Sequence, residues 1–179
     1  MTQQEAEQIL QSCLALDGRQ GLPEKLFLAI STIMPIPNVD LLILNEKKEI
    51  LLAWRDDPYF EKGWHLPGGC LRYKETMLER VQKTALSELG QEVVINPKPL
   101  AVRDAILGRD DDSVRFRAHH IAVLFACKPR QPIADTPQRA GGRKAGDLKW
   151  FPKLPPNLLR IHDIYRDIFE QYHLYPEER

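Results

Sequence analysis

Residues 63–90 read GWHLPGGCLRYKETMLERVQKTALSELG and hold two carboxylates in a fixed order around one turn and one helix. Gly68 and Gly69 mark a tight backbone turn, Glu75 precedes the helix, and Glu88 stands near its end. Thr76 and Glu79 form a T-x-x-E capping box, which makes Thr76 the N-cap, and Gly90 supplies the left-handed residue that ends the helix. Leu78, Val81, Ala85 and Leu89 share one face that must pack on a sheet. Arg80, Thr84, Ser87 and Glu88 sit three or four residues apart and present another. Glu88 lies at the shoulder of the apolar stripe, so its carboxylate is partly desolvated and needs a cation or hydrogen-bond donors. A structural ion pair or a bound metal would each satisfy it. Glu75 suits the positive end of the helix dipole.

The chain that positions these groups has 179 residues, enough for one domain with a short appendage and a substantial core. Lys and Arg together number 25, as do Asp and Glu, and this neutral balance argues against nucleic acid or an anionic membrane as partner. The three cysteines, Cys13, Cys70 and Cys127, are an odd number in different contexts and point away from a disulfide framework. Cys70 has no paired base in sight and reads as a small semi-buried residue. The opening MTQQEAEQIL lacks the basic and apolar regions of a secretory signal, and no stretch approaches a membrane span. The chain reads as cytoplasmic.

Helical spacing is clear at residues 3–15, through Ala6, Ile9, Leu10, Cys13 and Leu14, and again from Pro23 through Leu26, Phe27, Ile30 and Ile33. VDLLILN and ILLAWR, joined by EKKE, predict a β-hairpin with largely buried strands. EVVINP, LAVRDAILG, AHHIAVLFACK and a short LKWF are further strand candidates, and LLRIHDIYRDIFEQY predicts a third amphipathic helix. GRDDDSVRF and residues 129–147 are polar and rich in turn formers, and read as loops. The DDDS run could capture a metal or lie solvated. With a helix between strands, the fold class is layered α/β.

The quoted stretch resembles the box of the Nudix hydrolases, G-x5-E-x7-R-E-U-x-E-E-x-G-U, where U is a bulky apolar residue. Gly69, Glu75, Glu88 and Gly90 fall in register without a gap, and Trp64, Leu66, Pro67 and Gly68 match the usual approach. Lys83, Thr84, Ser87 and Gln91 depart from it, standing where an Arg, two Glu and an apolar residue are expected. The resemblance implies a Nudix-type α/β/α sandwich with a mixed sheet over residues 37–179, including the C-terminal helix. Residues 1–36 then form an N-terminal helical extension that covers the domain or builds a homodimer.

It also implies a divalent-metal-dependent hydrolase of a nucleoside diphosphate-linked small molecule. Gly69, through its carbonyl, and Glu88 would hold Mg²⁺ or Mn²⁺, while Glu75 orients the cluster or pairs with Lys83. The pattern is most similar to the GDP-mannose mannosyl hydrolase branch, which also lacks the middle glutamates and attacks the sugar carbon. That similarity implies a nucleotide sugar such as GDP-mannose, with Arg55 of LLAWR on phosphate and His119 and His120 near the reacting centre. An Arg usually stands where this chain has Cys70. A metal-binding Gln and a His base usually come from the stretch that here reads GRKAGD, whose Lys144 can hold a phosphate. Thr84, Ser87 and Lys144 keep a second reading open: a catalytically impaired Nudix-fold nucleotide-binding or interaction module.

Overall fold

Strand runs that are apolar at nearly every position suit a sheet covered on both faces. The computed structural model of the protein, which describes residues 2–58, 61–111, 113–140 and 142–176, has that architecture. In β1 (Ile36–Ile43), Val39, Leu41 and Ile43 enter one core while Leu42 enters the other. In β2 (Ile50–Arg55), Leu51 and Ala53 oppose Ile50 and Leu52 in the same way. The short strands β3 (Gly63–His65) and β4 (Gly68–Cys70) precede α3 (Met77–Leu89). After it come β5 (Val93–Ile95), β6 (Ala101–Ile106), β7 (His119–Pro129) and β8 (Leu148–Phe151).

A five-stranded mixed sheet runs β4-β1-β7-β5, with β6 also on β7; β1 and β7 are parallel and the other pairs antiparallel. A second, antiparallel sheet runs β3-β2-β8. The expected hairpin of β1 and β2 is therefore corrected. The two strands meet only at the bridge between Leu44 and Ile50 and then enter different sheets. The competitors are β3 and β4, which lie in the stretch read as a turn. Pro67 has no N–H for a ladder, so GWHLPGGC breaks into one strand for β2 and one for β1.

Helix α3 packs Val81 and Ala85 into one core, with the Thr76–Glu79 capping box formed and Gly90 at φ 72° as its stop. Leu78, expected on that face, is exposed, whereas Arg80 and Thr84 are buried. They lie against the glycine pair: a Cβ on Gly69 would sit 2.6 Å from Thr84 Oγ1 and 3.2 Å from Arg80 Cδ. Ser87 is exposed and donates to the Thr84 carbonyl, so it does not share their face.

The other core is closed by the chain's end. The predicted third helix starts instead as a 3₁₀ turn at Arg160–Tyr165 and becomes α4 only at Arg166–Gln171. The cause is spacing: Leu159, His162 and Tyr165 recur every third residue, and three residues per turn bring all three to one buried side. At the other terminus, α1 (Gln3–Leu14) buries none of its residues, and α2 (Glu24–Ser31) buries Leu28 and Ser31. Ile33 lies past the end of α2 and is exposed. Among the described residues no helix is long and apolar enough to cross a membrane.

Glu75 ties the glycine turn to α3. Its carboxylate takes Arg80 Nε at 2.7 Å and Nη2 at 2.8 Å, Lys83 Nζ at 2.9 Å, and the Arg72 N–H at 3.0 Å. The Arg80 fork above all lowers its pKa to about 2 from the ordinary 4.5. Its stabilising contribution is thus fully present above pH 4.5 and is lost as pH falls through about 2. Glu75→Gln is expected to lower unfolding stability by about 1–3 kcal/mol at pH 7, read as a lower urea midpoint at unchanged slope. The deficit should shrink on acidification; a constant deficit down to pH 2 would show that the ion pairs are not its source.

Candidate functional site

Alternation along β1 turns Asn38 and Asp40 away from Val39 and Leu41, toward the side that the C-terminal segment covers. There a cavity of about 280 Å³ opens, floored by β1, β4 and β7 and walled by the 3₁₀ turn. Asp40 is 6% exposed and accepts Tyr165 Oη at 2.7 Å and Asn38 Nδ2 at 2.9 Å. Burial raises its pKa to about 6, against the pull of those two donors. Gly68 is required beside it, since a Cβ there would meet Asp40 Oδ1 at 2.5 Å.

Glu88 reaches the same cavity from α3. Its Oε1 takes a long hydrogen bond from the Gly68 N–H at 3.4 Å, while its buried Oε2 has no hydrogen-bond partner. Burial raises the carboxyl to about 7, and the Asp40 charge adds to the rise. Burial thus raises both carboxyls above their ordinary range, Glu88 further than Asp40.

Three imidazoles complete the lining. His65 Nδ1 lies 2.7 Å from the Leu66 carbonyl, so that nitrogen carries the proton and Nε2 keeps its lone pair. His162 Nε2 accepts the Leu66 N–H at 3.2 Å, which assigns its proton to Nδ1, a buried atom without a partner. The two rings stack with centroids 6.5 Å apart. Burial holds His65 and His120 down at about 4 and His162 at about 3, so all three are neutral at pH 7. Arg55, which pairs with Asp57, and Arg117 bring positive charge to the opening.

The residues singled out in sequence divide into two groups. Glu88, Gly69, Arg55 and His120 line the one cavity. Glu75, His119 and Lys144 do not. Glu75 is closed into the ion pairs with Arg80 and Lys83. Strand alternation sends His119 the other way, with Nε2 4.0 Å from Asp104 Oδ1. Lys144 is exposed, in a turn where its backbone N–H donates to buried Asp147. In the DDDS run, Asp111 is engaged by Ser113, and Asp112 lies outside the described residues. Asp40, Asn38, His65, His162 and Arg117 were not singled out. A visible signal existed for Asp40 alone, an acid inside the apolar run VDLLI, where burial demands partners.

Among the described residues no group of three or more His, Cys, Asp or Glu could hold a metal ion by itself. The orphaned Glu88 Oε2 nevertheless suits a hard divalent cation, and Gly69 borders the same space. Both Asp40 oxygens are already engaged. The donor set fits a cation that draws most of its shell from water and a bound phosphate, as Mg²⁺ does.

The family model of the NUDIX domain matches residues 34–172. Over 104 residues the chain is 31% identical to the low-salt glycan biosynthesis protein Agl8 of Haloferax volcanii, a span of 58% of this chain and 65% of that protein, just under two thirds. A crystal structure of a UDP-X diphosphatase matches at TM-score 0.54 and 20% identity, over 97% of this chain and 70% of the other. The MutT protein from Methanosarcina mazei Go1 matches at TM-score 0.55 and 25% identity, over 78% and 94%.

The Glu88 pKa has a consequence for stability. Its folded value of about 7 exceeds the ordinary 4.5, so the folded protein keeps a proton that the unfolded chain releases. Its contribution is therefore intact below pH 4.5, falls as pH rises through about 7, and stays low above. In metal-free protein at pH 8, Glu88→Gln should raise stability by about 1–2 kcal/mol, a gain of a few degrees in Tm. The gain should vanish at pH 4.5; a variant less stable than wild type at pH 8 would instead reveal a structural ion pair.

Proposed function

The chain belongs to the Nudix family, whose domain spans residues 34–172, and on that premise we propose that it is a divalent-metal-dependent hydrolase of a nucleoside diphosphate-linked substrate. Within that class we propose a nucleotide sugar such as GDP-mannose. The observation that carries the proposal is the buried Glu88 oxygen left without a partner, in a cavity that also holds Asp40, Arg55 and three neutral imidazoles. A cation arriving with a diphosphate satisfies that oxygen, and turnover separates a hydrolase from a module that only binds. The glycan-biosynthesis description of the Haloferax volcanii relative supports a sugar-bearing substrate.

The residues divide the work by chemistry. Bound Mg²⁺ or Mn²⁺ would neutralise charge on the leaving diphosphate, with Glu88 and Gly69 as its protein ligands. Arg55 faces the same anion with a planar guanidinium fork. His65 and His120 are neutral at pH 7, as a group that takes a proton from water must be. The Leu66 carbonyl takes the His65 Nδ1 proton, which leaves Nε2 as the ring's acceptor. Asp40 is held by Tyr165 and Asn38 where it can steady positive charge developing on a sugar ring. Glu75 acts at one remove, by fixing the glycine turn against α3. At about 280 Å³ the cavity accepts the reacting end of such a substrate, leaving the base in the open.

The direct test is turnover of nucleoside diphosphate sugars, nucleoside triphosphates and dinucleotides with Mg²⁺ or Mn²⁺. A nucleotide sugar should be the best substrate, and Glu88→Gln should lower kcat about 100-fold or more. In ¹⁸O-labelled water the label should enter the sugar, because one metal that stabilises a departing diphosphate suffices for attack at carbon. Label in phosphate would overturn the carbon route, equal turnover by wild type and Glu88→Gln would overturn the role of Glu88, and no turnover of any of these substrates would overturn the hydrolase.

A further inference from the structure

Arg117 reaches the cavity with its backbone at φ 55°, in the left-handed region that residues with side chains seldom adopt. Such a conformation persists when neighbours over-determine it, and two residues of α2 do so. The Arg117 N–H donates to Ser31 Oγ at 3.0 Å. That hydroxyl donates in turn to the Leu28 carbonyl at 2.7 Å, so its orientation is fixed, and Ser31 is 5% exposed. One helical turn earlier, Phe27 lies beneath the side chain, with the guanidinium carbon 5.3 Å from the ring centroid. One short helix therefore holds both the backbone and the charged head of a single arginine.

Arg117 shares the cavity lining with Arg55, His120 and the glycine pair. A diphosphate entering here meets the carboxyls of Asp40 and Glu88, and Arg55 shares its own charge with Asp57. A second guanidinium answers that deficit. Yet α2 ends at Ser31, before residue 34, where the family match begins.

We propose that α2 belongs to the working site: Phe27 and Ser31 position Arg117 as a second guanidinium that, with Arg55, binds the diphosphate of the substrate. The inference rests on the nucleoside diphosphate reading above and adds to it a part of the chain outside the matched domain. Phe27 and Ser31 are positioning residues that act only through Arg117.

The test is calorimetric titration of the full chain with inorganic pyrophosphate in the presence of Mg²⁺. Arg117→Gln should weaken binding about ten-fold or more, with Arg117→Lys intermediate because an ammonium lacks the planar fork. Ser31→Ala and Phe27→Leu should each weaken it about three-fold or more in wild type and add nothing in the Arg117→Gln background. That non-additivity separates positioning from general stability, and Phe27→Leu serves if Ser31→Ala folds poorly. Loss of binding in Arg55→Gln with none in Arg117→Gln would overturn the inference and leave the hydrolase standing. Full additivity of Ser31→Ala and Arg117→Gln would also overturn it. Failure of wild type to bind pyrophosphate at all would remove the diphosphate reading and this inference together.

Discussion

A carboxylate taken out of water must be paired, bonded or protonated, and Glu88 is only partly provided for. One oxygen has a single long hydrogen bond from Gly68 and the other has none. Much of the surrounding structure can be traced to holding that group in place. The glycine pair leaves room for α3 against β4 on one side and for Asp40 on the other. Thr76 and Gly90 fix where the helix begins and ends. Glu75, through Arg80 and Lys83, locks the turn to that helix. The site then consists of one under-bonded anion on rigid elements, rather than a preassembled cage of ligands.

The two-core sandwich decides what surrounds it. Because β1 and β7 are buried on both faces, polar residues can enter only where the covering layers part, and Asn38, Asp40 and His120 stand there. The C-terminal 3₁₀ turn closes the gap. His162 accepts the Leu66 N–H and Tyr165 donates to Asp40, so this turn shapes the approach to the glycine pair and opposes the burial that raises the cavity acid. The N-terminal helix α2 meets the opposite lip of the cavity through Arg117.

Local rules carried the sequence reading furthest where a residue acts through its neighbours in the chain. The capping box of α3 and its glycine stop follow from spacing and appear as expected, whereas strand alternation leaves only His120 of the two histidines on the cavity. The hairpin of β1 and β2 does not appear, because strand partners are chosen in competition and β3 and β4 were hidden in a turn-like stretch. The same limit hid half of the cavity. His162 and Tyr165 lie in the stretch expected to form one amphipathic helix, and three-residue spacing with long-range partners turns them inward. The pairing of Glu75 with Lys83 was implied by the family resemblance and is present. Its stronger partner Arg80, five positions on, depends on how the turn folds back.

The central claim is that this cavity takes a divalent cation jointly with a diphosphate, since the protein offers it one unsatisfied carboxylate oxygen. Calorimetric titration of Mg²⁺ into wild-type protein, with and without a nonhydrolysable nucleoside diphosphate, measures this directly. The account predicts weak, millimolar-range binding to the free protein and affinity about ten-fold or more higher once the diphosphate is present, because its oxygens complete the shell. Micromolar Mg²⁺ affinity without any nucleotide, or no gain when the diphosphate is added, would contradict it.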